Sequence, residues 1–191
     1  LYVQFTATPY AQLLLEPNDR LAPEFVEFLM PGQGYVGGRE FFIDNAEKVV
    51  RPISTMDEQS ASTKLLDVPP SLHQATANFI AGSALLLVND PTAKTISMLV
   101  HSTHKNKVQS VYHFLLKLLI KSWREKVELT LDSIPSEILA ERARLVQNGA
   151  KNIADEEFIE KVNYVLKEVI FWLVNSASDV KNVNWLEGPI H

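Results

Sequence analysis

Apolar residues recur at helical spacing through the second half of the chain. In residues 105–125 they form a wide arc, and in residues 155–174 they follow one face. Ser71 and Gln74 stand at the spacing of a capping box, and Asn148 with Gly149 forms a helix-ending pair. The pattern therefore predicts four helices, at residues 71–88, 105–125, 135–147 and 155–174.

Shorter runs of apolar and β-branched residues predict strands. Residues 95–100 read Thr-Ile-Ser-Met-Leu-Val, a short run typical of a buried strand. Strands are predicted at residues 1–5, 40–43 and 95–100, with a candidate edge strand at 183–186. A short helix is predicted at residues 23–29, with Pro23 at its first position. Residues 52–64 have the polar composition of a surface loop. The order of elements predicts a helix-rich α/β fold.

The composition is that of a folded protein. Hydrophobic residues make up 46% and charged residues 21% of the 191 positions, which excludes a disordered or low-complexity chain. There is no cysteine, so a disulfide scaffold, a thiolate zinc site and a cysteine nucleophile are excluded, and a cytoplasmic protein is expected. The longest strongly apolar run, residues 114–120, is broken by Lys117 and is shorter than the ~20 residues of a membrane span, so no membrane partner is expected.

The chain opens with Leu1 in a strand-like run and ends at His191. We therefore expect it to be an excised piece of a larger protein. It contains no G-x-x-x-x-G-K-[ST] phosphate loop, so we expect this piece not to hydrolyse ATP by itself.

Positive charge is concentrated in one stretch. Residues 101–128 carry six Lys or Arg against two Glu, whereas residues 1–64 carry nine acids against five bases, within a chain of net charge −5. A basic stretch of this kind suits contact with phosphates. It equally suits the solvated face of an amphipathic helix, on which lysine stems cover the edge of the core.

Two patterns that often mark a binding site, one for dinucleotides and one for metals, lack the surrounding residues or elements that such sites require. Residues 32–37 match G-x-G-x-x-G, but the predicted elements are a helix before it and a strand after it, so turn glycines are the better interpretation. His101 and His104 have the spacing of metal ligands, yet no carboxylate lies between residues 95 and 124. The chain also lacks the Glu-x-Lys triplet of a magnesium-dependent nuclease. We therefore expect no metal site.

Thr6 and Thr8 close the first predicted strand, just before Pro9. Side chains two apart on an extended segment face the same way, so both hydroxyls point together at the carboxyl end of the strand. Ligands of open α/β sheets bind at that end. A strand that simply ends in two β-branched residues and a proline explains the same spacing.

Three motifs together resemble known families. Residues 3–11, Val-Gln-Phe-Thr-Ala-Thr-Pro-Tyr-Ala, resemble the Thr-Ala-Thr-Pro motif that closes the first RecA-like lobe of superfamily-two helicases. Residues 31–42, Pro-Gly-Gln-Gly-Tyr-Val-Gly-Gly-Arg-Glu-Phe-Phe, resemble the signature of the Z-one domain (the letter Z with the digit one), which is described in bacteria as an endonuclease domain. Residues 98–102, Met-Leu-Val-His-Ser, followed by Gln109, resemble the strand that opens the second lobe in that family.

The resemblance implies part of a RecA-like helicase lobe with a helical, bundle-like C-terminal half. Residues 1–64 would hold the end of the first helicase-like lobe and the glycine-rich signature loop, and residues 65–191 a helix-rich segment with the start of the second lobe. Such proteins are helicase-like motor subunits of restriction or phage-defence systems, in which ATP hydrolysis drives movement along DNA. The resemblance thus implies ATP and magnesium in the larger protein, and DNA and a nuclease or specificity subunit as partners.

The resemblance also implies site residues. Thr6 and Thr8 would link the nucleotide site to the DNA strand and act as catalytic residues. The residues near the DNA backbone would be His101, Ser102, Thr103, His104 and Lys105, and His104 or Lys105 would replace an arginine that the family often has. The signature loop would be carried by Tyr35, Gly37 and Gly38.

Two other functions remain open from the sequence. The helices between residues 105 and 174 would also suit an interaction module that docks a nuclease or specificity subunit, with Phe171, Trp172 and Trp185 as candidate interface residues. A metal-dependent endonuclease domain would require a metal site that the sequence does not show. Salt-sensitive DNA binding separates the interaction module from the translocase, because phosphate contacts weaken steeply with salt.

Overall fold

A computed structural model describes residues 14–16, 18–57, 67–90, 92–93, 95–128, 130–178, 188 and 190. By its internal contacts the chain forms two units, Leu1–Val50 and Arg51–His191. The predicted strands at residues 1–5 and 183–186 lie outside the described residues, and so do Thr6 and Thr8. No helix in the described ranges is both long enough and apolar enough to cross a membrane.

The first unit contains a π-helical segment, Glu40–Asp44, followed by the one-turn helix α1, Ala46–Val49. The strand predicted at residues 40–43 is therefore wrong. The helix predicted at residues 23–29 is wrong as well, because these residues form no helical turn. Their apolar side chains have helical spacing but no surface to cover, and Phe25 and Phe28 remain 71% and 69% exposed.

The second unit is built from four long helices and one turn of 3₁₀ helix. The helices are α2 (Pro70–Asn89), α3 (Asn106–Lys126), α4 (Ser136–Gln147) and α5 (Asp155–Glu168), with the 3₁₀ turn at Leu131–Ser133. The first three long helices confirm the predicted ranges to within one residue at each end. The fourth begins where predicted but ends at Glu168 instead of residue 174.

The early end of α5 has a visible cause. The guanidinium of Arg124, on α3, donates hydrogen bonds to the carbonyl oxygen of Leu166 at 2.8 and 2.5 Å and to that of Lys167 at 3.3 Å. These carbonyls lack intrahelical partners at a helix end, so the cation stabilises termination at this point. The chain then becomes extended at Val169, although its apolar residues continue at helical spacing.

The start of α2 does not use the predicted capping box. Its N-cap is Pro69, which makes no side-chain capping bond, and the N–H of Ser71 instead donates to Oδ2 of Asp57 at 2.8 Å. The hydrogen bonds from Ser71 lower the pKa of Asp57. A carboxylate 14 residues earlier in the chain therefore satisfies the exposed donor of the first turn.

The predicted α/β fold, as part of a RecA-like helicase lobe, is wrong. Among the described residues there is no strand, and only two isolated parallel bridges occur, Ile96 with Ile190 and Val169 with Ile190. Residues 95–100 are extended as their β-branched composition suggests, but a ladder also requires a neighbouring strand, and the one described neighbour is Ile190. The fold of the described part is helix-rich without a sheet.

The core of the second unit lies where α2 packs against α4 and α5. Helix α2 carries no charged residue and faces its neighbours with small side chains such as Ala77, Ala81 and Ala84, which let the helices approach closely. Phe158, Val162 and other apolar residues of α5 fill the remaining space. Burial of this apolar surface at roughly 25 cal/mol per Å² is the main stabilising term.

A buried ion-pair cluster joins the start of this unit to two of its helices. The carboxylate of Glu141, on α4, is 3% exposed and accepts two hydrogen bonds from Arg51, at 2.9 and 2.5 Å, and one from Arg144 at 2.9 Å. Arg144 also donates to Oδ1 of Asn78, on α2, at 2.9 Å. Burial acts to raise the pKa of Glu141, but the hydrogen bonds and charges of the two arginines outweigh it and the pKa is lowered.

Replacing Glu141 by Gln should destabilise the second unit by about 1 to 3 kcal/mol at pH 7, because the two arginines lose their charged partner. The folded-state pKa of Glu141 lies below its unfolded value. Its contribution is therefore present above the unfolded pKa and is lost as the pH falls through the folded pKa. Urea denaturation of both proteins from pH 7 down to pH 3 should show the difference in unfolding free energy shrinking. Glu137→Gln, at an exposed position of α4, is the matched control.

Candidate functional site

A groove of about 640 Å³ runs along the second unit. Its walls are α2, α3 and two extended segments, residues 97–102 and 170–174. The floor is apolar and buried, with Tyr112, Leu116 and Ile120 of α3 each less than a tenth exposed. A concave, mostly apolar site with a few polar groups is the usual form of a ligand or peptide site.

The structure brings the predicted DNA-binding residues together at one end of the groove. His101 and Ser102 line it, and Thr103, His104 and Lys105 follow as the chain turns into α3. Four of the five are exposed, whereas Thr103 is half-buried. Thr103 has a structural task, since its Oγ1 accepts a hydrogen bond from the N–H of Lys105 at 3.2 Å, directly before the first turn of α3.

Amide side chains hold this turn in place. Gln109 donates to the carbonyl oxygen of Thr103 at 2.7 Å and accepts a hydrogen bond from Nδ2 of Asn175 at 3.0 Å. Asn106 donates to Oγ of Ser176 at 2.9 Å. The turn before α3 is therefore fixed to the end of the opposite wall. The sequence motif includes Gln109 without indicating its role, and no pattern predicts Asn175, because a contact across 66 residues leaves no local signal.

Tyr112 lies on the floor of the groove with its hydroxyl directed to the same end. Burial raises the pKa of its phenol, a hydrogen bond with Ser102 opposes that change, and the negative charge of Asp57 reinforces it. The phenol is therefore a neutral hydrogen-bonding group at ordinary pH. Its hydrogen bond with Ser102 connects one of the predicted DNA-binding residues to the floor of the groove.

His113 faces the groove one residue further along α3. Its ring meets Phe171 edge-on, with ring centroids 6.1 Å apart, and Nε2 is buried without a partner in the described part of the chain. Burial and the charge of Lys117 lower the pKa of His113, while a hydrogen bond with the backbone of Phe171 acts in the opposite direction. The imidazole is thus held neutral in the wall of the groove.

The residues that line the groove include no acidic side chain, although the negative charge of Asp57 acts on Tyr112 in its floor. Helix α2 and residues 169–178 carry no charged side chain, and residues 91–124 carry bases but no acid. Lys105, Lys107 and Lys117 are exposed and form no ion pair with another described residue. Two further bases of α3 have partners. Nζ of Lys121 lies 3.8 Å from Oε1 of Glu125, and the guanidinium of Arg124 donates to the carbonyl oxygen of Leu166 at the end of α5. We call Lys105, Lys107 and Lys117 the basic rim. None of the three lines the groove itself, and Lys107 lies on the face of α3 opposite to Leu116.

The predicted signature loop belongs to the first unit and has a defined local structure. Gly37 lies under the ring of Tyr35, where an added Cβ would come within 2.5 Å of Cε1. The N–H of Gly37 donates to Oε2 of Glu40 at 2.9 Å, which lowers the pKa of Glu40. Gly38 begins the helical turn that follows. The N–H of Phe41 donates to the carbonyl oxygen of Gly37 at 3.2 Å, so a helical hydrogen bond forms where a strand was predicted.

No group of three or more metal-ligating side chains is found among the residues that the structure describes. His101 and His104 are both exposed, and His113 lies in the groove wall with its imidazole against Phe171. The three histidines therefore have separate surroundings.

Comparison with known proteins gives one finding. A family model described as the Z1 domain matches residues 71–188, a range that contains the four long helices apart from Pro70, the first residue of α2, and every wall of the groove. No curated protein and no solved structure gives a significant match.

His113 should titrate below the ordinary pKa of about 6.5 in an NMR titration of the imidazole signals. Lys117→Gln should raise this pKa, because the positive charge beside the ring disfavours protonation. Lys121→Gln, one turn further along α3, should change it less. Since the folded-state pKa is depressed, protonation should also cost stability as the pH falls below about 6.5. An unshifted pKa, or equal effects of the two substitutions, would contradict the placement of His113 beside Lys117.

Proposed function

The chain belongs to the Z1 domain family, and on this premise we propose that it is the DNA-contacting part of an ATP-dependent, helicase-like translocase subunit of a restriction or defence system. In this proposal ATP hydrolysis by the subunit drives movement along duplex DNA. The chain described here contacts the DNA backbone.

One observation carries the proposal. The exposed turn His101–Lys105 leads directly into α3, which carries the exposed Lys107 and Lys117, and no acidic side chain lines the groove. Lysines that form no ion pair are available to phosphates, and release of counterions from DNA then favours binding. Contacts to the backbone position a protein on DNA without reading its sequence, as a translocase requires.

The turn is also suitably rigid for backbone contacts. Its hydrogen bonds to Gln109 and, through Gln109, to Asn175 hold it against both walls of the groove. The N-terminus of α3 directly follows it, and the partial positive charge of a helix N-terminus adds to that of Lys105. His101, Ser102 and His104 are exposed hydrogen-bonding groups at the same place.

ATP and magnesium do not fit the described residues. The sequence has no phosphate-binding loop, and the described part has no cluster of metal-ligating side chains. We derive no step through either group. In the proposed translocase they are bound by other parts of the subunit, and Thr6 and Thr8 connect that site to the DNA.

A second candidate function is the docking of a nuclease or specificity subunit. Helix α3 exposes Val111, Phe114 and Leu118 along one face, beside the basic rim. Apolar side chains that recur on one exposed helix face are typical of a surface that binds another protein. Lys107 lies on the same face of α3 as these apolar residues, whereas Lys105 precedes the helix, so the two functions share part of α3.

Replacing all three lysines of the basic rim by Ala should weaken duplex DNA binding at least about tenfold in fluorescence anisotropy. The slope of log K against log salt should become shallower by about 0.9 for each DNA phosphate that the variant no longer neutralises. Lys151→Ala, which removes an exposed charge away from the groove, should leave both quantities nearly unchanged. Binding that responds equally to the rim and to Lys151 would reflect overall charge alone and would count against the proposed interface.

The translocase proposal also predicts that the subunit carrying this chain hydrolyses ATP faster when duplex DNA is added. Thr6→Ala combined with Thr8→Ala should lower this DNA-stimulated rate several-fold more than it lowers ATP affinity, because the two hydroxyls connect the two sites. Thr130→Ala is the control. Intact ATP binding without stimulation by DNA would favour the docking function, and an equal loss of rate and ATP affinity would remove the role given to the two threonines.

A further inference from the structure

The outer face of α3 carries large apolar side chains that remain in contact with solvent. Val111, Phe114 and Leu118 are 37%, 59% and 47% exposed. The opposite face of the helix is the one that packs into the unit, through Tyr112, Leu116, Ile120 and Trp123. The helix therefore has one apolar face that serves the core and a second apolar row that does not.

The exposed row has a regular spacing. With Lys107 before it and Lys121 after it, successive residues are separated by four, three, four and three positions. This alternation is that of the a and d positions of a coiled coil, which keeps side chains in one line along a helix. We call Lys107, Val111, Phe114, Leu118 and Lys121 the α3 stripe. At about 1.5 Å per residue the stripe is about 21 Å long, or four helical turns.

The α3 stripe is basic at both ends. Lys107 begins it and Lys117 lies directly beside Leu118, and both lysines are exposed without an ion pair to another described residue. Nζ of Lys121 lies 3.8 Å from Oε1 of Glu125, but the two side chains are 69% and 65% exposed. A pair this exposed contributes little, so Lys121 is available to an acid of a partner.

Charges on the neighbouring segments do not cancel this excess. Arg124 donates to the carbonyl oxygen of Lys167 at 3.3 Å, so the end of α5 lies beside the end of α3. The exposed charges described in this region balance, with Arg124, Lys126 and Lys167 against Glu125, Glu128 and Glu168. At the other end Asn106 contacts Ser176, in a segment (residues 169–178) without charged side chains. Asp57 acts on Tyr112, on the groove face of α3 and not on the stripe.

We propose that the α3 stripe binds an acidic amphipathic helix of a partner protein. The inference rests on the docking function proposed above and specifies the chemistry of the partner. The bound helix has about 14 residues, with apolar side chains at a and d positions against Val111, Phe114 and Leu118. Its Asp or Glu residues flank that row and meet the lysines at the two ends, since charges beside a helix seam select the partner.

A second copy of the chain fits the stripe less well. In a parallel pair each lysine of the stripe lies opposite itself, and in an antiparallel pair centred on Phe114 Lys107 lies opposite Lys121. Both arrangements bring like charges together at each end of the seam, which is unfavourable. An acidic helix replaces both repulsions by attraction.

Phosphates alone do not suit the stripe either. Phe114 lies at its centre, and covering this ring stabilises a complex only if the partner supplies apolar surface, which a DNA backbone does not. Helices that lie on membranes bury a broad apolar face, whereas the stripe is a single row of side chains. An apolar row with charged ends is the form of a helix–helix seam.

The test uses the full chain and a fluorescein-labelled peptide made of two copies of Glu-Ile-Ala-Ala-Leu-Glu-Ala, whose binding is followed by fluorescence anisotropy. Its glutamates flank the apolar seam and oppose self-association. Phe114→Ala should weaken binding about tenfold, because it removes the aromatic side chain at the centre of the stripe. Tyr164→Ala, which removes a 41% exposed aromatic side chain of α5, should leave binding nearly unchanged. Circular dichroism verifies that both variants are folded.

A charge reversal tests the acidic character of the partner separately. Lys107→Glu combined with Lys121→Glu should weaken binding of this peptide at least about tenfold and strengthen binding of a version with Lys in place of every Glu. If the lysine peptide bound the unchanged protein as tightly as the glutamate peptide, the acidic partner would be excluded while docking at α3 would stand. Equal effects of Phe114→Ala and Tyr164→Ala would remove the stripe, and the docking function with it.

Other occupants give different results. Dimerisation that Phe114→Ala abolishes, measured by analytical ultracentrifugation, would assign the stripe to a second copy. Phe114-dependent binding to phosphatidylserine vesicles in place of the peptide would assign it to a membrane surface. Because Lys107 also belongs to the basic rim, saturating peptide should weaken duplex DNA binding a few-fold. If the peptide does not bind while DNA binding still depends on the basic rim, this inference fails and the translocase proposal stands.

Discussion

The arrangement of the second unit depends on the need to bury a helix that has no charged side chain. Helix α2 runs for 20 residues from Pro70 to Asn89 without a charge, and a helix of this kind is stable in water only if it is covered on most sides. Helices α4 and α5 cover one side through closely packed alanines and Phe158. Thr76 and Phe79 on another side reach the groove, so part of the cover is left to α3 and the extended segments.

Because one side of α2 packs against α4 and α5 while another side reaches the groove, charged and titratable side chains have different surroundings on the two sides. Where α2 meets α4, the carboxylate of Glu141 is enclosed and two arginines neutralise it. No acidic side chain lines the groove, and Lys105, Lys107 and Lys117 are exposed and form no ion pair with a described residue. Burial and the charge of Lys117 lower the pKa of His113 and keep its imidazole neutral in the groove wall.

The sequence predicts those parts of this structure that are set by neighbouring residues. The periodicity of α2, α3 and α4 gave their ranges closely, because a helix closes its own hydrogen bonds within four residues. Whether residues 95–100 form a strand, the contact from Asp57 to the start of α2 and the end of α5 at Arg124 all depend on partners far along the chain. Local patterns do not record such contacts, and the strand predicted at residues 95–100 was wrong. The family resemblance was right, yet of the motifs that carry it only residues 98–102 and Gln109 lie within the matched range. Those residues form one wall of the groove and a bond that holds its turn, whereas the signature loop lies in the other unit.

The proposed phosphate contact draws its charge and its geometry from different residues. Lys105, Lys107 and Lys117 are exposed and form no ion pair with another described residue, so in the proposal their contribution to DNA binding comes from released counterions, which salt can replace. The position of the turn comes from Gln109, which donates to the carbonyl oxygen of Thr103 and accepts a hydrogen bond from Asn175. These amide bonds are neutral and partly buried, so salt changes them little. Salt should therefore alter the affinity of the proposed contact without altering the turn that positions it.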